Sequence, residues 1–385
     1  MTVIKKAGKG KKMKIPLLDL KSQYKTIEEE VNGVVEEVLE SGHYILGPNV
    51  KTLEEEIADY CEVKYAIGVA SGTDALRLSL LSLGVGEGDE VIVTPFTFIA
   101  TAEVITQVGA RPTFVDIEEK SFNLDPAKIE KALTHGTKAI IPVHLYGQAV
   151  DMGKIMDTAK KYGLKVIEDA AQAFGTEYHG WTGRPKKLGS MGDVGCLSFF
   201  PTKNLGGYGD GGMVLTNDHE VARRIKMLRA HGLDSNSGHS LLGYNSRLDE
   251  LQAAILRVKL RWVDKWTRMR HQNASLYDKL FSSSRVPVRI PWEAPYARHS
   301  YCAYTIRIPK RDRLRDYLKK KGIETKIYYP LPLHLQEVYR DLGCSDLDLP
   351  MAERASKEVL SLPIYPELRE AQIELVVNEI KNFFS

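Results

Sequence analysis

No apolar run in this 385-residue chain approaches the roughly 18 residues that a membrane-crossing helix needs. The four cysteines, Cys61, Cys196, Cys302 and Cys344, lie far apart with no CxxC pair, so neither a disulfide framework nor a thiolate zinc site is signalled. The ten histidines show no HExxH or comparable ligand spacing, and no metal site is expected. There is no GK[ST] triplet, which excludes the lysine of a Walker phosphate loop. Charge of one sign is scarce: the net value of +3 is too small to argue for nucleic acid. The six lysines among the first fourteen residues (MTVIKKAGKGKKMK) more than account for it. That stretch lacks the apolar region of a secretory signal and reads as a solvated basic tail over residues 1–13. No internal repeat is present. With 43% hydrophobic and 27% charged residues, the expectation is a soluble globular protein of a reducing cytoplasm, partnered by neither membrane nor nucleic acid.

What the chain does have is rhythm, over a length that suggests two domains. From about Lys14 to Lys265, short β-rich runs alternate with helical stretches. The run ending at Ala70, then Glu90–Pro95, Arg111–Ile117, Lys138–Leu145, Leu164–Ala170, "DVGCLSFF" and "GGMVLTND" read as seven strands. Asp74–Leu83, Ala100–Val108, Pro126–Leu133 and Met152–Tyr162 read as helices. Continuously apolar strands are those buried on both faces, so the expected class is α/β, a mostly parallel seven-stranded sheet flanked by helices. A long helical stretch is predicted from Leu248 to about Leu280. Beyond Phe281–Pro291 the rhythm changes. Strand "YCAYTIRI", helix "RDRLRDYLKKKG", strand "ETKIYYP" and two terminal helices read as a smaller α+β unit. The predicted division is 14–281 and 282–385.

Three places could carry chemistry. In "VASGTDALRLSLLSLG" a strand ends at Ala70 and Ser71-Gly72-Thr73 open a helix, whose free N–H groups and dipole suit an anion. Plain capping by Ser71 or Thr73 explains the pattern equally well. In "IEDAAQAFG", Asp169 ends a buried strand, where open α/β sheets place their ligands. A buried carboxylate there needs a partner, unless it merely caps a following helix. Gln172, three residues on, is expected one helical turn away on the same side. In "SFFPTKNLGGYGDGG", Gly207, Gly209 and Gly212 match G-x-G-x-x-G, but the stretch leads into a strand rather than a helix, so the dinucleotide reading is rejected. What remains is Lys203 as an amine nucleophile, or an ordinary exposed loop lysine.

Taken together, a phosphate-binding helix start, a strand-end acid about 100 residues later and a lysine between two strands are what pyridoxal 5′-phosphate (PLP) requires. On "SGTDAL", "TPFTFIATA", "PVHLYGQ", "EDAAQAFG", "SFFPTKNLGGYGDGG" and "GYNSRLDELQAA", in order along nearly the whole chain, the sequence resembles the DegT/DnrJ/StrS sugar aminotransferases. These are a branch of the fold-type I PLP-dependent transferases. The resemblance implies Lys203 as the Schiff-base lysine, Asp169 on the pyridine nitrogen and Gln172 on the ring hydroxyl. It implies Gly72, Thr73 and Ser198 at the phosphate and Phe98 stacked on the ring face, although core packing would also explain Phe98. It implies that Asn245 reaches the phosphate of the neighbouring subunit, in a homodimer with shared active sites. The alternative is that Asn245 caps the helix that follows it.

The implied reaction moves an amino group from L-glutamate, by way of the pyridoxamine form of the cofactor (PMP), onto a keto group of a UDP- or dTDP-linked hexose. "PVHLYGQ" and "SFFPTKNLGGYGDGG" look more like the branch acting at C3 than the branch acting at C4. Tyr329, His334 and Arg247 are the candidate substrate contacts. The dehydratase branch replaces the lysine by histidine, so Lys203 argues against it; a non-catalytic PLP-binding regulator is the other alternative. The basic stretch "YHGWTGRPKKLGSMGDV" is longer than in many relatives and leaves the motifs intact.

Overall fold

A computed structural model describes residues 14–180, 183–234, 238–342 and 347–385; the basic tail, Trp181 and Thr182 of the basic stretch, and Cys344 lie outside them. Helices α1 (Leu20–Thr26), α2 (Glu28–Ser41) and α3 (Pro48–Cys61) lead into strand β1 (Tyr65–Val69). Then α4 (Gly72–Ser82), β2 (Glu90–Val93), α5 (Ala100–Gln107), β3 (Arg111–Phe114), α6 (Pro126–Ala132), β4 (Thr137–Ile141), α7 (Met152–Tyr162) and β5 (Lys165–Asp169) follow in alternation. The short strands β6 (Glu177–Tyr178) and β7 (Lys186–Lys187) precede β8 (Val194–Ser198) and β9 (Gly212–Thr216). After α8 (His219–Leu228) come α9 (Glu250–Leu260), α10 (Val263–Ser282), β10 (Ala297–Arg298), β11 (Tyr304–Arg307), α11 (Arg311–Lys320), α12 (Pro350–Glu358), β12 (Val359–Leu362) and α13 (Glu370–Phe384).

Seven strands form one sheet in the order β1-β9-β8-β5-β4-β2-β3. Only β9 runs against its neighbours, β1 and β8. The pairs β2–β3, β2–β4, β4–β5 and β5–β8 are parallel. The apolar runs explain the layering. Ile92, Ile140, Val166 and Leu197 enter the cluster on one face, and Val91, Val93, Ala139, Ile141, Ile167 and Cys196 the cluster on the other. Alternate residues of each strand thus meet helices on both faces, as a doubly covered sheet requires. A third cluster joins Ile15, the second half of α10 (Ala274, Tyr277, Phe281), β11, β12, α11 and α13.

Two sequence expectations are corrected. The stretch 248–280 is two helices: the Trp262 amide bonds to the Lys259 carbonyl, an i→i−3 closure that ends α9 before α10 starts. "ETKIYYP" is not a strand. Glu324 donates its amide to the Ile15 carbonyl and Lys326 exchanges backbone bonds with Ser361, but no ladder continues among the described residues, because the next ones turn to side-chain partners: the Tyr328 carbonyl accepts the Tyr146 hydroxyl, and the Tyr329 hydroxyl meets Gln172. The strand that pairs with β11 is instead β12, from "VLSL". The basic stretch contributes β6 and β7, a small sheet with β10.

Candidate active site

Asp169 and Ser198 end the adjacent parallel strands β5 and β8, and α4 starts beside them. Ser71 is extended (φ −163°, ψ 165°), and its hydroxyl accepts the Asp74 amide at 3.0 Å. So Ser71 does cap α4, but this satisfies only one orphan N–H. The Gly72 and Thr73 amides and the Thr73 hydroxyl have no acceptor among the described residues. Gly72 is required by close approach: a Cβ there would stand 2.7 Å from Ser198 Cβ and 3.2 Å from its Cα. The Ser198 hydroxyl accepts the Phe200 amide at 3.3 Å, which leaves its own proton free to donate. Asp74, whose charge would oppose an anion, is ion-paired with Arg77, and that guanidinium lies 4.3 Å over the Tyr244 ring.

Asp169 is 5% exposed. Its Oδ2 accepts the Thr101 hydroxyl at 2.7 Å and its Oδ1 the Ala171 amide at 3.1 Å. No cation among the described residues stands within ion-pair reach of it. The Ala171 bond is a local side-chain turn, not a helix cap, because turns rather than a helix follow β5. Gln172 therefore is not one helical turn from Asp169, as expected from its spacing. The turn still brings it to the site. The neighbouring Glu168 is a brace: it accepts the amides of Gly189, Met191 and Gly192. His144 Nδ1 accepts the Val150 amide, so its Nε2–H donates to Glu168, at 3.0 Å.

Gln172 Oε1 accepts the Tyr146 amide at 3.0 Å, which turns Nε2 towards the Tyr329 hydroxyl at 3.2 Å. One N–H of that amide remains to donate. Burial pushes the Tyr329 hydroxyl well above the usual tyrosine range, so it stays protonated. Phe98 is 55% exposed, with its ring centroid 6.3 Å from that of Tyr329. It is not a core residue and is free to cover a planar ligand.

The loop after β8 closes on itself. Phe199 donates its amide to the Gly211 carbonyl at 2.8 Å, and Gly207 donates to the Phe199 carbonyl at 2.7 Å. Asn204 Nδ2 holds the carbonyls of Phe174 (3.4 Å) and Ser300 (3.2 Å). Lys203 is half-buried, and its ammonium makes no hydrogen bond or ion pair among the described residues.

Asn245 is exposed, and its Oδ1 accepts from Arg247 at 2.6 Å. The N-cap position of α9 is Asp249, so Asn245 is not the cap of that helix. Ser246 Oγ lies 3.5 Å from the Ala70 amide, which sets this segment beside the start of α4. Arg247 Nε is buried with no hydrogen-bond partner among the described residues. His334 is fully buried, 3.4 Å from Glu353, with Nδ1 unpartnered among the described residues; burial lowers its pKa. It shares no hydrogen bond with Asp169, Gln172 or Lys203. Thr101 and Tyr146 were not singled out from sequence. The signal for Thr101 was a second hydroxyl four residues after Thr97 in "TPFTFIAT", at helical spacing; the two oxygens are 3.3 Å apart.

The donor set fits PLP: two unpaired helix-start amides and two hydroxyls for a phosphate, a buried carboxylate lacking a countercharge for a protonated ring nitrogen, one amide N–H for the ring hydroxyl, and an unpaired amine. No group of three or more acidic, histidine or cysteine side chains is arranged for a metal among the described residues.

The DegT/DnrJ/EryC1/StrS aminotransferase family matches residues 25–381. A "Pleiotropic regulatory protein" of Geobacillus stearothermophilus is 51% identical over 97% of this chain and 99% of its own. The UDP-2-acetamido-2-deoxy-3-oxo-D-glucuronate aminotransferase of Pseudomonas aeruginosa is 43% identical over 96% of this chain and 100% of its own. Among solved structures, S. venezuelae DesV in complex with a ketimine intermediate superposes with a TM-score of 0.92 at 41% identity, covering 96% of this chain and 98% of that one.

Proposed function

The chain belongs to the DegT/DnrJ/EryC1/StrS aminotransferase family, and we propose that it moves the amino group of L-glutamate to the C3 keto group of a UDP- or dTDP-linked hexose. PLP is its cofactor. The observation that carries the reading is that Gly72, Asp169 and Ser198 meet at adjoining strand and helix ends, with Lys203 on the loop that follows Ser198. Gly72, Thr73 and Ser198 would hold the phosphate, Asp169 the ring nitrogen, Gln172 the ring hydroxyl and Phe98 a ring face, with Lys203 at the aldehyde carbon. Bound there, the cofactor supplies an electron sink for the carbon that loses or gains the amine. Asp169, fixed by Thr101 and Ala171, would hold a proton on the ring nitrogen by its charge. Lys203 Nζ takes a proton from one reacting carbon and returns it to another.

The working unit is a homodimer in which Asn245 donates to the partner's phosphate. Its exposed side chain, with the oxygen already engaged by Arg247, supports that reading. So do the exposed Ile45, bridged to Asp249, and Leu242, which is 97% exposed. Tyr329 and Arg247 supply substrate contacts. C3 rather than C4 is supported by "PVHLYGQ" and by the 3-oxo sugar named for the P. aeruginosa relative. The test is 2-oxoglutarate formation from L-glutamate with UDP-, dTDP- and GDP-linked 3-keto and 4-keto sugars. Turnover confined to 4-keto sugars moves the reaction to C4.

The name of the G. stearothermophilus relative favours a second reading, a PLP-binding regulator. A regulator would take up the cofactor and turn over none of these sugars.

A further inference from the structure

We propose that Lys259 is a positioning residue that, together with Gln252, clamps the backbone of the Lys203 loop from one face of α9. The inference rests on the reading of Lys203 as the reactive amine. Gln252 and Lys259 are seven residues apart, two turns along one helix face. Gln252 Oε1 accepts the Tyr208 amide at 2.8 Å. The Lys259 ammonium donates to the Gly206 carbonyl and lies 4.9 Å over the Tyr208 ring. One helix thus supplies an acceptor and a donor to two backbone groups of the same short loop. The loop is shaped to receive Gln252: a Cβ on Gly207 would stand 2.7 Å from Gln252 Oε1, and one on Gly209 would stand 3.0 Å from its Nε2.

Lys259 is otherwise an expensive choice. It is 1% exposed and has no ion-pair partner among the described residues. Burial pushes its ammonium down to about 8, against the pull of Glu367 and with the help of Arg270. A methionine of similar length would fill the space without that desolvation cost. What methionine cannot do is donate to Gly206.

The test compares Lys259→Met with Lys259→Gln in the full-length chain. Hydrogen exchange is followed at the Gly207 and Tyr208 amides and, as a reference, in β4. The clamp predicts at least tenfold faster exchange at these amides in Lys259→Met, β4 unchanged, and recovery of most protection in Lys259→Gln, whose amide can donate. With cofactor and substrates, kcat should fall at least tenfold in Lys259→Met while KM changes less than threefold. Exchange within twofold of wild type in Lys259→Met overturns the proposal, as does equal loss in the Met and Gln variants. If Lys259→Met does not fold, Gln252→Ala decides: the clamp predicts faster exchange at Tyr208, and unchanged exchange there overturns it. Failure of the underlying reading looks different. Borohydride-fixed PLP would map to a lysine other than Lys203, whatever the exchange result.

Discussion

Replacing Gly72 by alanine probes the site where its geometry is tightest. The added methyl would meet Ser198 Cβ at 2.7 Å, Oγ at 3.1 Å and Cα at 3.2 Å. The nearest of these, Cβ, and the Cα cannot swing away by a side-chain rotation. Ser198 is held in register opposite Gly212 and follows the buried Cys196 and Leu197. Overfilling such a site costs roughly 1–3 kcal/mol of stability. The strain is relieved only if α4 and β8 separate, which takes the Ser198 hydroxyl away from the Gly72 and Thr73 amides. Losing one hydrogen bond to a charged phosphate costs about 1.5–3 kcal/mol. At about 1.4 kcal/mol per factor of ten, PLP affinity should fall roughly 10- to 100-fold. The assay is cofactor titration of the apoprotein followed by tryptophan fluorescence, alongside urea unfolding. Gly33→Ala is the control: its Cβ meets nothing within 4 Å, inside α2, so affinity should be unchanged and stability slightly higher. A Gly72→Ala protein that binds PLP within twofold of wild type and unfolds at the same urea concentration would refute the claim of a cup too tight for a methyl group.

Asp169→Asn should still take up PLP but lose at least about 100-fold in kcat, since an amide cannot hold a proton on the ring nitrogen by charge; a steady-state rate within a few-fold of wild type would reduce Asp169 to a turn-former. Mixing inactive Lys203→Ala chains with Asn245→Asp chains should partly restore activity, because a shared interface leaves heterodimers one intact site; activity no higher than the parents' average means that each site is built from one chain. His299 is buried and its pKa is lowered from 6.5 to about 3, chiefly by burial. The unfolded chain therefore binds the extra proton first, and the stability contributed by neutral His299 is complete above pH 6.5 and lost as the pH falls towards 3. Between pH 6.5, where the unfolded imidazole is half protonated, and pH 5 the loss is about 1.6 kcal/mol, approaching about 1.4 kcal/mol per pH unit only below pH 6. His271, raised by its hydrogen bond to Glu293, works in the opposite sense and offsets part of it. Urea midpoints of wild type and His299→Asn at pH 7 and pH 5 check this, and an equal acid loss in both proteins removes His299 as the cause.

Much of this protein is legible along the chain because its causes are local. Apolar runs of four or five residues specify strands buried on both faces, and Ser71, Asp151 and Asp218 each cap the helix that follows. The strand-end position of Asp169 and the loop position of Lys203 follow from the same local order. What the chain could not display are pairings made across space. Thr101 reaches Asp169 over 68 positions, and Tyr208 meets Gln252 over 44. Such partners depend on the order of strands in the sheet, where β5 lies beside β8 although β6 and β7 intervene, and on which helix crosses which strand end. "ETKIYYP" has every local mark of a strand, yet its tyrosines are drawn to Tyr146 and Gln172, and the ladder position beside β11 goes to "VLSL". Local sequence thus determined which groups capable of chemistry exist and which element carries each. Tertiary packing alone decided which of them meet, because the free energy that selects one pairing over another lies in burial and hydrogen bonds between segments that have no contact until the sheet has closed.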